Sequence, residues 1–303
     1  MPRPLVQNVQ TVACVGAGTI GAAWAAYFLS RGLTVVATDP EPAAKAHLMD
    51  TVESIWSRLQ QLSPCPQADQ ANLSFTDDLE AAVEGAEFIQ ESAPDDESLK
   101  IKLLRRIGEA SPADSVIASS SSTFLPSRLS SQCPHPERVI VGHPFVPAYL
   151  IPLVEVVGGE ETDIAALDWA MRFYTHIGKR PLQLKKEIEG YIANRLQRAV
   201  FAEALELVAN GICDYDDIDK AVTWGPGLRW AIQGPVLHRH LGGGKGGVRH
   251  MIEHFGWDGE PGGEVRFIKS IESRWGRNTI EELEAWRDDN LTLMLQNLKA
   301  SPE

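Results

Sequence analysis

The chain has 303 residues, long for one core and comfortable for two, with 44% apolar and 23% charged residues as in ordinary soluble globular proteins. Its net charge of -13 leaves no general basic field for nucleic acid or for an anionic membrane surface. No apolar run approaches the ~20 residues of a membrane span, the opening MPRPLVQNVQ lacks a signal-peptide core, and the scattered Cys14, Cys65, Cys133 and Cys213 suggest neither a zinc site nor a disulfide framework. These features read as a cytoplasmic protein with reduced thiols, no nucleic-acid partner and no membrane partner.

In chain order, TVACVG (11–16) is a Val-rich apolar run closed by Gly, a strand signal. AGTIGAAWAAYFLSRG (17–32) is Ala-rich with helical spacing and stops at Gly32. LTVVATD (33–39) is a second strand. Further strands are expected at 87–93, 115–119, 138–143 and 153–158, with helices near 41–62, 95–110 and 162–177. Alternating strands and helices argue for an α/β fold, a Rossmann-like, doubly wound, mostly parallel sheet. SPCPQADQ (63–70) reads as a loop. After about residue 186 the pattern changes to helices at 189–211, 214–222 and 278–299, with LGGGKGGV (241–248) as a loop. Asn210-Gly211 stops the first of these, Asp214 can cap the second, and Thr279 with Glu282 fits a capping box on the third. The domains expected are therefore 1–186, nucleotide-binding, and 187–303, smaller and all-helical.

VGAGTIG sets Gly16, Gly18 and Gly21 as GxGxxG between a strand and a helix, and the next strand ends in Asp39, 18 residues past Gly21. Gly16 makes the tight turn, Gly18 lets backbone approach a pyrophosphate, and Gly21 lets the helix pack closely. The helix N-terminus offers N–H groups and its positive dipole end to phosphate. Asp39 can accept from ribose hydroxyls and repels a 2′-phosphate, and Pro40-Glu41-Pro42 supplies no Arg. The pattern points to NAD rather than NADP.

The stretch VGHPFVPAYLIPLVEVVGG (141–159) is almost wholly apolar yet holds His143 and Glu155. An ion in such surroundings costs several kcal/mol unless compensated. Twelve-residue spacing does not say whether the two meet. Read alone, His143 fits a turn residue, and Glu155 fits a half-exposed strand face.

Together with VGAGTIG, the stretches ESLKIK (97–102), SSSSTFLPS (119–127), GHPFVPAYLIPLVEVVGG (142–159) and EIEGYIANRLQRAV (187–200) resemble the L-3-hydroxyacyl-CoA dehydrogenase family along nearly the whole chain. GLRWAIQGP (227–235), GGVRHMIEHFG (246–256) and WRDDNL (286–291) look closest to its short members acting on small free hydroxy acids. The resemblance implies an NAD-dependent oxidoreductase that oxidises the 3-hydroxyl of a carnitine-like or sugar acid reversibly to the 3-oxo acid, with a homodimer expected; the alternatives are a 3-hydroxyacyl-CoA or a specialised-pathway metabolite as substrate, or a catalytically inactive NAD-binding relative. It implies that His143 is the catalytic base and Glu155 its carboxylate partner. Ser122 and Asn194 fall at positions beside the reacting oxygen, although Ser119, Ser120 and Ser121 leave the serine register open. Thr19, Ile20 and Ala93 join the glycines and Asp39 around the cofactor, and Glu97 and Lys102 fall near its nicotinamide half. Val146 departs from the family's usual Asn and moves the substrate question to this position.

Oxidising a secondary alcohol removes a hydride from carbon and a proton from oxygen. A histidine suits the proton, and a carboxylate on its far nitrogen fixes the ring and favours the imidazolium. Ser and Asn can donate to charge on oxygen. A small free acid also needs a fixed cation, and Arg229 offers a planar fork. Trp230 or Trp224 could face a trimethylammonium group. The alternatives are a surface Arg and two core Trp. No metal is expected: His250 and His254 stand i, i+4 but without an HExxH signature.

Overall fold

The apolar runs form one eight-stranded sheet in the computed structural model, which describes residues 3–298. The strands are β1 (Thr11–Val15), β2 (Thr34–Thr38), β3 (Leu73–Thr76), β4 (Phe88–Glu91), β5 (Val116–Ser119), β6 (Val139–Pro144), β7 (Leu153–Gly158) and β8 (Arg180–Gln183). Their order is β3-β2-β1-β4-β5-β6-β7-β8, and every pairing is parallel except β6 with β7. β4, β5 and β6 are buried at every residue, which is why they read as unbroken apolar runs rather than alternating ones. The edge strands β3 and β8 were not expected from sequence. Both are short and more exposed, and β8 carries Pro181, which a sheet accepts at its edge.

Helices cover both faces. On one side α1 (Thr19–Leu29), α2 (Ala44–Leu62) and α6 (Ile164–His176) bury Trp24, Phe28, Leu48 and Phe173 against Phe88. Trp24 stacks on Phe28 at 5.2 Å, and Phe88 meets Phe173 at 4.4 Å between ring centroids. On the other side α3 (Leu79–Val83), α4 (Glu97–Ala110) and α5 (Pro126–Leu129) bury Leu79, Leu104, Ile107 and Leu129. Asp78, Asp96 and Asp163 cap α3, α4 and α6 by accepting backbone N–H bonds. α1 has no side-chain cap.

The chain divides into two compact units between Arg198 and Ala199, later than the change of sequence character at 186. Residues between these points pack on the sheet unit. Glu187 accepts from both N–H and Oγ of Ser127, and Tyr191 is fully buried. The helix expected over 189–211 is α7 (Ala193–Ala209). It starts late because Gly190 and Tyr191 both take positive φ, +71° and +48°. The second unit continues with α8 (Tyr215–Trp224), α9 (Pro226–Leu241), α10 (Gly247–Phe255), α11 (Gly263–Trp275) and α12 (Ile280–Asn297). The capping box forms, with Glu282 N–H to Thr279 Oγ1 at 3.2 Å and Thr279 N–H to Glu282 Oε2 at 2.9 Å. Within 241–248 the loop runs only to Gly246, and α10 opens at Gly247. α9 bends at Gly234 (φ +67°) before Pro235.

Candidate active site

At the sheet's switch point between β1 and β4, where open α/β sheets bind ligands, lies a cavity of about 1000 Å³. One end is lined by Gly16, Gly18, Thr19, Ile20, Asp39 and Ala93, the other by Ser122, His143, Val146 and Asn194. Most residues singled out in the first unit therefore share one space.

The glycine turn is built by close approach. Gly16 has φ +93°, and a Cβ on it would stand 2.8 Å from the Ala93 nitrogen and the Ser92 carbonyl. A Cβ on Gly21 would stand 1.8 Å from the Gly16 oxygen, so α1 packs onto the turn itself. A Cβ on Gly18 would meet nothing within 4 Å. The space in front of Gly18 is thus ligand space beside the uncapped start of α1. Asp39 accepts from Ala17 N–H at 2.7 Å and Glu41 N–H at 2.9 Å. Arg106 also lines the cavity, but Glu80 holds its guanidinium at 2.9–3.0 Å.

His143 and Glu155 stand directly opposite in the antiparallel β6–β7 ladder, where facing side chains are close neighbours. Nδ1 of His143 lies 3.0 Å from Glu155 Oε2. The other carboxylate oxygen accepts from the consecutive N–H groups of Ile192 and Ala193, each at 2.9 Å. The left-handed Gly190-Tyr191 pair just before α7 aims both donors at that oxygen. Burial pushes the Glu155 carboxyl up, but the His143 bond and the two backbone donors outweigh it and hold the group below the usual carboxylate value. An ionised carboxylate only accepts, so Nδ1 carries a proton, and in the neutral ring Nε2 is the nitrogen with the lone pair. The Tyr191 ring lies 5.2 Å from the His143 ring, and its hydroxyl donates to Phe124 O at 2.7 Å.

Among the four serines, Ser120 and Ser122 line the cavity. Ser119 is fully buried and donates to Glu91. Ser121 and Ser122 each donate to Asp95, both at 2.8 Å. The Ser122 proton is therefore directed to Asp95, which leaves its oxygen an acceptor at the cavity wall. Asn194 donates to Ser122 O at 3.4 Å, leaving its second amide hydrogen available.

Glu97 and Lys102, expected near the nicotinamide half, do not line the cavity. Glu97 opens α4 and pairs with Arg128 at 2.8 Å, while Lys102 sits on the exposed face of α4. One half-turn away, Lys100 is buried, lines the cavity and bonds Glu91 at 2.8 Å and Ala93 O at 3.0 Å. Glu91 also accepts from Ala93 N–H at 2.7 Å. This buried pair pins the Ala93 segment beneath Gly16, and sequence reasoning missed it; the signal available was an acid closing a core strand ahead of a Lys on the following helix. Arg229 and Trp230 lie on α9 in the second unit. Arg229 lines a smaller cavity there, and Trp230 is 38% exposed. Val146 is 66% exposed at the cavity rim. The His250 and His254 rings lie 5.9 Å apart on α10.

Residues 11–188 match the NAD binding domain of 3-hydroxyacyl-CoA dehydrogenase, and residues 190–279 match its C-terminal domain. An L-carnitine dehydrogenase from Nocardiopsis dassonvillei is 47% identical over 289 residues, spanning 95% of this chain and 84% of that one. Another from a Pseudomonas species is 41% identical over 310 residues, spanning 98% and 97%. Among solved structures, 5-formyl-3-hydroxy-2-methylpyridine 4-carboxylic acid 5-dehydrogenase, an NAD+-dependent dismutase, superposes with a TM-score of 0.76 at 27% identity, covering 95% of this chain and 97% of that one.

Proposed function

Because the chain belongs to the 3-hydroxyacyl-CoA dehydrogenase family and is an NAD-dependent dehydrogenase acting on CH–OH, we propose that its substrate is a small free 3-hydroxy acid of the carnitine type, oxidised reversibly to the 3-oxo acid with His143 as base. The observation that carries this is His143, fixed through Nδ1 by Glu155, in one cavity with the glycine turn and Asp39. The carnitine-type choice rests on the likeness to the two L-carnitine dehydrogenases.

The first-unit residues fit a dinucleotide. The clear space at Gly18 and the uncapped first turn of α1 suit a pyrophosphate, and Asp39 suits the ribose hydroxyls. When bound, NAD supplies the hydride acceptor. The substrate hydroxyl gives its proton to His143 Nε2, and the Glu155 carboxylate stabilises the imidazolium that results. The free amide hydrogen of Asn194 donates to the reacting oxygen. Val146 offers an apolar contact at the rim.

A second reading, a 3-hydroxyacyl-CoA thioester as substrate, is favoured by the family description. A panel decides between them, following NADH formation with carnitine, gulonate, 3-hydroxybutyrate and a 3-hydroxyacyl-CoA. A free acid, carnitine first, is expected to exceed the thioester in kcat/KM by at least about tenfold, or ~1.4 kcal/mol in transition-state binding. The reverse order overturns the free-acid reading.

We also propose a cytoplasmic homodimer. Four unpaired cysteines support a reducing compartment, and no helix among the described residues is long and apolar enough to cross a membrane. Val200, Phe201 and Leu205 on α7, with Trp286 and Leu293 on α12, expose large apolar side chains that support a protein partner.

A further inference from the structure

We propose that the cavity between α9 and α12 in the helical unit binds a small carboxylate that also carries a hydrogen-bond donor such as a hydroxyl. Arg229 is the cation singled out in the sequence for a small free acid, and the proposal rests on side chains of the second unit alone.

The cavity, about 360 Å³, is lined by Arg229, Gln233, His238, Arg287 and Asp288, with Leu241 and Leu291 as apolar wall. That is the lower end of the volumes that hold small ligands. The bend at Gly234-Pro235 creates it. Gln233 closes the first half of α9 and His238 lies in the second, and the bend brings Gln233 Nε2 within 3.2 Å of His238 Nδ1. Charge at the cavity is cationic. Arg229 makes no ion pair among the described residues, and Arg287 is matched by its neighbour Asp288 at 2.8 Å. Burial, then Arg229, Arg239 and Arg287, hold the His238 pKa below its ordinary value. Arg239 itself has Asp258 at 3.6 Å. One cation is thus left over beside a histidine whose protonation burial and its neighbours disfavour.

The second observation is independent of charge. Gln233 is only 6% exposed, and its Oε1 is buried with no partner among the described residues. A buried acceptor is normally paired, so an orphan at a cavity wall calls for a ligand donor. Turning the amide over would pair Oε1 with His238 and leave NH₂ facing the cavity instead. In either orientation one polar group is left for a ligand. A carboxylate on Arg229 and Arg287 with a hydroxyl at Gln233 satisfies every group.

The test titrates the full-length protein, without NAD, with 3-hydroxybutyrate and its uncharged amide by calorimetry. The acid is expected to bind, with the amide at least tenfold weaker. Arg229→Leu and Arg287→Leu should each weaken the acid at least tenfold, and His143→Ala should leave it unchanged. The imidazole signal of His238 should titrate at higher pH with the acid bound, because an anion beside it favours its protonation. Thermal melts identify any variant that fails to fold, and either arginine variant alone carries the result. Absence of binding, or unaltered binding in a folded arginine variant, overturns the proposal. No nucleotide is present, so either failure is separate from failure of the dehydrogenase reading.

Discussion

Glu155 receives three donors on one carboxylate, His143 from β6 and the consecutive Ile192 and Ala193 from the turn before α7. Its two tasks are to choose the histidine tautomer and to anchor the turn before α7. Glu155→Gln separates them. The glutamine oxygen can keep the backbone donors, while its NH₂ turns toward Nδ1 and forces the ring proton onto Nε2. The base is then lost with the fold intact, and kcat should fall by about 10³–10⁴ with little change in NAD affinity; steady-state kinetics with a parallel NAD titration checks this. At this scale the sequence was half legible. His143 and Glu155 stood out as two ionisable groups in an apolar run, but their contact depends on an antiparallel register that spacing does not encode. Lys102 was singled out by resemblance, whereas helix phase on α4 turns Lys100 inward instead. Ser122 lines the cavity, but its hydroxyl donates to Asp95, a partner 27 residues away that no local pattern announces.

Elements carry the next layer. The segment after β6, which bears Val146, is held from behind by Lys179, just before β8. Its ammonium donates to the carbonyls of Ala148 and Ile151 and stands 3.9 Å from the Tyr27 ring centroid and 4.9 Å from that of Trp24. Burial, and then the charge of Arg31, pushes Lys179 down to about 7. Its folded pKa lies below the unfolded value of ~10.4. Between these values the unfolded chain binds more protons, so the Lys179 contribution makes stability rise with pH from about 7 toward 10 and is flat below that window, where both states carry the proton. Lys179→Met should flatten this rise by about 1 kcal/mol per pH unit, read as urea midpoints from pH 7 to 9; equal slopes in the two proteins would refute the assignment. The long periodic elements and the capping box were legible because pattern and local chemistry agreed. β3, β8, α3 and α5 were not, because these short segments lack the buried apolar run that marks the equally short β4 and β5. The start of α7 was misplaced because Tyr191 takes a positive φ that only tertiary burial enforces.

For the whole molecule, sheet order explains why one cavity collects residues from 15 to 197. The crossover between β3 and β4 opens the crevice at β1, and the antiparallel β6–β7 pair sets His143 directly opposite Glu155. The doubly wound α/β class and the helical second half followed from the alternation of patterns. The compact boundary at Arg198 did not, because the packing of Glu187 and Tyr191 is tertiary. The proposed dimer belongs to this scale as well. Phe201 is 62% exposed on α7, and Phe201→Asp should shift the sedimentation coefficient from dimer to monomer; a wild-type protein that already sediments as a monomer would contradict it. The central claim, that His143 is the base of an NAD-dependent dehydrogenase, is tested most directly by His143→Ala assayed for NADH formation and for NAD binding on the same preparation. Turnover should drop by about 10³-fold or more, with the NAD dissociation constant within about twofold, ~0.4 kcal/mol. Unchanged turnover would contradict the account.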